Sequence, residues 1–238
     1  MDVKISELSV FFPTYNEEGS IEKTVKKARE VLENVVGKWE ITIVNDGSRD
    51  KTGEISEKLS QSDKRIRVIT HNPNRGYGAA FKTGFYSAKY DWVAFTDADG
   101  QFDFSEISNF IETQKKTRAD VVIGYYLGRR VSIGRKLNTF LWELVVFLMF
   151  GLKVRDIDCG FKMVSKKVIE TIPKLEAERG AFISSEFLIK TKRAGFKIVE
   201  IGVHHYPRSA GRGTGADLNV IIKSFVDLFK LWWKLLGK

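Results

Sequence analysis

The chain is short of the residues that staple or rigidify small extracellular proteins: among 238 residues there is one cysteine and there are four prolines. A lone Cys159 excludes an internal disulfide and cannot by itself form a thiolate metal site. A reducing, cytoplasmic setting is therefore expected. The N-terminal Met1-Asp2-Val3-Lys4 lacks the apolar core of a signal peptide. No stretch stays apolar over the about 20 residues that a membrane-spanning helix takes. Phosphate loops of the Gly-Lys-Ser/Thr kind, low-complexity tracts and tandem repeats are also missing.

What is present is a 43% hydrophobic composition, ample for one core, and a net charge of +9. The basic residues are scattered over helical faces, and no nucleic-acid module accompanies them, so nucleic acid is not expected as a partner. Anionic small molecules or an anionic membrane surface remain. Two segments are greasier than a surface helix needs to be. Residues 140–150 carry Glu143 as their one charge. In 216–238, Asn219, Lys223, Asp227, Lys230, Lys234 and Lys238 fall within an arc of about 100° while Trp232-Trp233 and aliphatic residues fill the rest. A narrow cationic stripe of this kind suits a helix lying in the membrane interface, or a terminal helix docked on its own domain or on a second copy.

The remainder alternates strand and helix. Leu8–Phe12, broken by Pro13, reads as a first strand. Ser20 is the expected N-cap of a helix carrying Ile21, Val25, Ala28, Val31, Leu32 and Val35 at helical spacing. Strands follow at 39–44, 66–69, 91–96, 120–124 and 198–203, with helices to Ser62, at 77–88 and at 105–117. Short strands apolar on both faces, separated by helices, predict an α/β fold with a mainly parallel central sheet. The boundaries predict one domain over 1–215 and a tail helix over 216–238. In such sheets ligands sit beyond the carboxyl ends of the strands. There the chain places Thr14-Tyr15-Asn16-Glu17, Asp46, Asn74 to Gly78, and Asp97 with Asp99.

Asp97-Ala98-Asp99-Gly100 puts two carboxylates where a buried strand breaks into a loop. Hard oxygen donors in that arrangement suit Mg²⁺ or Mn²⁺, which keep waters and add substrate phosphates to one or two carboxylates. A calcium hand is excluded because Phe102 stands where that loop needs glycine. The glycines of Asn74-Arg75-Gly76-Tyr77-Gly78 let backbone approach a ligand, but Phe81 replaces the third glycine of a dinucleotide fingerprint. His204 and His205 are adjacent on a strand and face opposite ways, so they do not share one metal. Buried Cys159 is expected to be packing rather than a nucleophile.

Taken together, Pro13-x-Tyr15-Asn16-Glu17, Asn45-Asp46-Gly47-Ser48-x-Asp50, the Asn74/Gly76/Gly78 loop and Asp97-Ala98-Asp99-Gly100-Gln101 resemble the ordered motifs of family 2 glycosyltransferases of the GT-A fold. The run Asp156-Ile157-Asp158-Cys159-Gly160-Phe161-Lys162, then Ser185-Glu186, then His204-His205-Tyr206-Pro207-Arg208, resembles the dolichyl- or polyprenyl-phosphate sugar synthase branch. The likeness covers about residues 7–215. It departs at Tyr77, where many relatives have lysine, and between Gly124 and Asn138.

That resemblance implies a set of roles. Pro13, Tyr15, Glu17, Asp46 and Gly76, with Asp97, would hold the nucleotide of a sugar donor such as GDP-mannose or UDP-glucose. Asp97, Asp99 and Gln101 would surround Mg²⁺ or Mn²⁺. Asp97, Asp99 and Arg208 would serve catalysis, and Arg130, Arg135, Asp156, Glu186 and Arg208 would face an acceptor phosphate. The reaction would be inverting transfer of mannose or glucose to a polyprenyl phosphate, which is already anionic and needs no base. Ser184-Ser185-Glu186-Phe187 lacks the aspartate that hydroxyl-directed relatives place beside such a glutamate, although Asp156, Asp158 or Glu186 remain as bases for a saccharide or glycolipid hydroxyl. A catalytically silent membrane-binding module is the alternative of another class. The implied place is the cytoplasmic face of a cell or ER membrane, held peripherally, alone or with a membrane-protein partner or a homo-oligomeric mate.

Overall fold

The computed structural model describes residues 5–128, 133–178, 180, 182–208 and 218–236. Seven strands form one sheet: β1 (Ile5–Thr14), β2 (Val36–Asn45), β3 (Ile66–Thr70), β4 (Trp92–Phe95), β5 (Val121–Leu127), β6 (Lys162–Ser165) and β7 (Ile198–His204). Between and after them run α1 (Ile21–Val35), α2 (Thr52–Ser62), α3 (Tyr77–Ser87), α4 (Ile107–Thr117), α5 (Ile133–Phe150), α6 (Lys166–Thr171), α7 (Phe182–Arg193) and α8 (Leu218–Leu236). The strand order is β3-β2-β1-β4-β6-β5-β7. Every neighbouring pair is parallel except those of β6, which runs against both β4 and β5.

The strands are apolar on both faces because both faces are covered. Val10 and Phe12 of β1 join a core under α1, α2 and α4, whereas Phe11 joins a second core under α3, α5, α6, α7 and α8. Phe11 stacks on Phe95 at 5.1 Å between centroids, and Phe81 of α3 meets Phe95 edge-on at 4.7 Å. Fully burying each such ring contributes about 1.5–3 kcal/mol. Gly84 makes this approach work, since a Cβ there would overlap the Phe11 ring.

Two local expectations are corrected, and one strand is added. Pro13 does not break β1; the strand runs through it to Thr14, in register with Val44. The β4 neighbour pairs only as far as Phe11, so by Pro13 one side of β1 is free of a partner strand and a missing N–H costs nothing. Ser20 precedes α1 but does not cap it, because its hydroxyl donates to the Glu17 carbonyl and carboxylate. And β6, hidden inside a run with a lysine and only four residues long, is an added antiparallel strand.

The tail helix is docked. Leu228 and Leu231 of α8 are buried in the second core, and Arg193 of α7 donates to the Leu235 carbonyl. Lys234 meets Glu176 at 2.5 Å, and Trp142 of α5 packs edge-on against Phe225 at 5.1 Å. The outer sides of these two helices stay bare: Leu148 is 72% exposed and Trp233 77%, with Phe140, Phe147 and Phe229 also exposed.

Candidate active site

The carboxyl ends of β1, β2, β3 and β4 gather the polar residues into one rim. After β1 the chain turns at Asn16, whose φ of 56° is left-handed, a conformation asparagine tolerates better than most residues. This turn is stitched to the loop after β2. Asn16 N donates to Ser48 Oγ, Arg49 N to Asn16 Oδ1, Glu17 N to Thr52 Oγ1, and Lys51 N to Glu18 Oε2. Tyr15 is left exposed beside them, while Pro13 is buried within β1.

Asp46 is a brace. One carboxylate oxygen accepts from Arg75 N at 3.0 Å and lies 2.6 Å from His71 Nδ1; the other accepts from Gly76 N at 2.8 Å. The far nitrogen of His71 reaches Thr83 Oγ1, and Asn74 donates to the Asp46 carbonyl. Asp46, expected at the nucleotide, is buried, and its oxygens shape the glycine loop. Gly76, at φ 98°, gives that loop a turn that side chains disfavour. His71 was not foreseen; it stands 25 residues from Asp46 and nothing local marks the pair.

The loop opens α3, and the first helical residue, Tyr77, donates its hydroxyl to Asp97 Oδ1 at 3.2 Å. On the other side a Cβ at Gly160 would overlap Asp97 Oδ2 and stand 2.9 Å from its Cγ. Asp97 is thus gripped between a phenol and a bare glycine backbone. Burial first, then the neighbouring charge of Asp99, pushes its carboxyl up to about 6. Burial and the Asp97 charge hold the Tyr77 phenol well above its usual range, so it stays a donor. The two aspartates lie near enough for the charge of Asp99 to raise Asp97.

Asp99 is buried; it accepts from Gln101 N at 3.0 Å and pairs with Arg208 Nη2 at 2.8 Å. Arg208 also reaches Glu17 Oε1 at 3.5 Å. Burial raises Glu17, with Arg208 opposing. Gln101, expected around the cation, donates its side-chain Nε2 to the Tyr206 carbonyl at 3.0 Å, while its backbone carbonyl accepts from Tyr206 N at 2.9 Å. These two bonds pin the segment bearing Arg208 to the Asp99 loop.

Other expected residues fall differently. Glu186 is withdrawn from any acceptor. It is 2% exposed, accepts from Glu176 N and Ala177 N, and pairs with Lys190 Nζ at 2.5 Å. It anchors the 174–178 segment, which in turn lies so close to Gly78 that a Cβ there would stand 2.7 Å from the Ala177 carbonyl. Asp156 is buried and accepts from Asp158 N, while Asp158 is exposed. Arg130 lies outside the described residues. Arg135 is on α5, but its side chain lies outside them too. His204 pairs with Glu106 at 2.6 Å and His205 packs on Tyr126 at 4.5 Å, two separate roles as their alternation requires. Cys159 is buried, and burial pushes its thiol up to about 12, which leaves it inert.

Lys162 stands in the Asp156–Lys162 motif with no expected role. The structure buries it fully, donating to the Cys159 carbonyl, with its charge close enough to favour ionisation of Asp97. Among the described residues no group of three or more His, Cys, Asp or Glu is arranged to hold a metal. The donor set nonetheless fits a hard divalent cation. Two hard carboxylates lie within each other's electrostatic reach, one of them costly to ionise, and a guanidinium already sits against Asp99 and Glu17. Magnesium and manganese commonly complete such a set with waters and phosphate oxygens.

Comparison with known proteins shows the family of the chain. The glycosyl transferase family 2 model matches residues 9–172, and the chain belongs to that family. It is 29% identical over 236 residues to Glycosyltransferase AglD of Haloferax volcanii, covering 96% of this chain and 37% of that one. It is 31% identical to the dolichyl-phosphate beta-glucosyltransferase of Saccharomyces cerevisiae, covering 82% of this chain and 66% of the relative. It is also 31% identical to an undecaprenyl-phosphate 4-deoxy-4-formamido-L-arabinose transferase of Salmonella choleraesuis, at 87% and 62%. The chain thus spans between about a third and two thirds of the length of these relatives. In fold it is similar to glucosyl-3-phosphoglycerate synthase of Mycobacterium tuberculosis, solved with Mn²⁺, UDP and glucosyl-3-phosphoglycerate, with a TM-score of 0.73 at 19% identity over 95% of this chain and 80% of that one. The fold is that of a GT-A glycosyltransferase.

Proposed function

We propose that this chain transfers a hexose from a nucleoside diphosphate sugar to a polyprenyl phosphate at a membrane surface, with inversion at the anomeric carbon and with Mg²⁺ or Mn²⁺. The observation that carries the reading is the convergence of Asp97, Asp99, Glu17 and Arg208 on one rim at the carboxyl ends of β1 and β4. The polyprenyl-phosphate names of two relatives support the acceptor class.

Asp97 and Asp99 would hold the cation, which when bound neutralises charge building on the departing diphosphate. Tyr77 and Gly160 fix the Asp97 carboxylate so that little reorganisation is needed. Tyr15 and Glu17 border the nucleotide, and the loop braced by Asp46 lets backbone come close to it. Arg208 is placed for a phosphate oxygen. An acceptor phosphate monoanion or dianion attacks from the face opposite the leaving group and needs no proton removed. The engagement of Glu186 with two backbone N–H groups and Lys190 favours this over a hydroxyl acceptor, because it withdraws one of the three candidate bases.

The test is a donor screen of purified protein with a short prenyl phosphate and Mg²⁺ or Mn²⁺. UDP-glucose and GDP-mannose are offered, and the lipid is analysed by mass spectrometry. A sugar-phosphate-lipid that breaks in mild acid is expected; an acid-stable glycoside would move the assignment to a hydroxyl acceptor.

Among the described residues no helix is long and apolar enough to cross a membrane. The bare sides of α5 and α8 would instead lie at headgroup depth, bringing the rim to the lipid phosphate. Leu148 and Trp233 are so exposed that replacing both with glutamate leaves the core alone. Losing about 1.5–3 kcal/mol of burial per side chain, the double variant should bind anionic vesicles at least about tenfold more weakly in flotation assays. Undiminished binding would remove these helices from the membrane contact.

A further inference from the structure

Arg208 pairs with a carboxylate that a cation at the aspartates would also have to use. The guanidinium stands 2.8 Å from Asp99 Oδ2 and 3.5 Å from Glu17 Oε1. The Asp99 side chain is 5% exposed and that of Glu17 11%, whereas Arg208 keeps 29%. The acids are shut in and the arginine sits at their mouth. Asp97 and Asp99 repel one another, as do Glu17 and Asp99, and Arg208 relieves both repulsions. In the ligand-free protein Arg208 is therefore the internal counter-ion of three clustered carboxylates.

Such a group does not step aside by losing its proton, because guanidinium stays charged in proteins. It leaves a carboxylate readily only for another anion. A divalent cation arriving alone must displace a fixed positive charge and then sit beside it. A cation arriving with a diphosphate brings the new partner with it.

Resting on the function proposed above, we propose that Arg208 is an exchangeable counter-ion that passes from Asp99 and Glu17 to the donor diphosphate as the divalent cation takes its place, so that cation and nucleotide bind interdependently. Either ligand by itself then meets a closed ion pair. Both together replace one satisfied arrangement with another, and no buried charge is stranded at any stage. The device would discourage futile occupancy by metal or by nucleotide alone.

The experiment is isothermal titration of Mn²⁺ into wild type, Arg208→Ala and Arg208→Lys, each with and without saturating UDP or GDP, with circular dichroism to verify the fold. Wild type should bind Mn²⁺ about tenfold or more tightly with nucleotide than without. In Arg208→Ala, Mn²⁺ alone should bind about fivefold or more tightly than to wild type, and the gain from nucleotide should shrink by a similar factor. Arg208→Lys keeps the charge and should resemble wild type for Mn²⁺ alone, which separates charge from packing. Mn²⁺ affinity in Arg208→Ala equal to or below that of wild type would overturn the exchange while leaving the site assignment standing. Failure of all three proteins to bind either Mn²⁺ or nucleotide would overturn the proposed function, and the exchange with it.

Discussion

Asp97→Asn should be inactive and yet more stable than wild type at neutral pH. The carboxyl is held up to about 6 against an ordinary 3.8 because its surroundings and Asp99 disfavour its charge. A folded-state value above the unfolded one means that the native protein holds its proton longer. Stability from this group is therefore greatest in acid and is lost as pH climbs from about 4 through 6, in sum on the order of 3 kcal/mol. Asparagine keeps an oxygen for the Tyr77 hydroxyl and removes the charge, so urea melts of the ligand-free variant should lose that pH dependence. Transfer should fall by about a hundred- to a thousandfold, the range seen when a preorganised electrostatic group is removed. A variant that retains transfer would take Asp97 out of the chemistry. One that is inactive but no more stable at pH 7 would deny that Asp97 is ionised at a cost.

The second large effect concerns stability alone. Lys190→Met leaves Glu186 in the core with its two backbone donors but without its cation. Breaking one side of a buried pair commonly costs about 3–5 kcal/mol. Chemical denaturation should show a loss of that size, and Glu186→Gln added to Lys190→Met should recover much of it. A loss below about 1 kcal/mol would mean that water reaches Glu186. Because the pair holds the 174–178 segment against Gly78, the single variant should also loosen the start of α3, where Tyr77 holds Asp97.

The alternation of short apolar strands with amphipathic helices was enough to read the layers of this fold, because residues buried on both faces of a sheet leave that mark in the chain. The clustering at four strand ends was legible for the same reason: the topology turns successive motifs into neighbours. What stayed hidden depends on which partner a polar side chain meets. Asp46 looked like a ligand contact, but His71 and two amides claim it. Glu186 looked like a candidate base, although the spacing to Lys190, one helical turn on, was a usable sign of a buried pair. Gln101 sits beside the aspartates in sequence and is drawn off by Tyr206, over a hundred positions away. And β6 was missed because four residues with a lysine at their head carry too little periodicity to announce a strand.

That reversed strand has a further consequence. The β3-β2-β1-β4 side of the sheet is complete by Phe95, whereas β6, β5 and β7 come from Val121 onward, and within the sheet the two are joined along the four-residue seam of β4 with β6. Asp97 emerges from one half and Gly160, which makes room for it, from the other. Asp97 therefore keeps its present surroundings only while β6 stays docked on β4, so two distant stretches of chain must be assembled before the rim is whole.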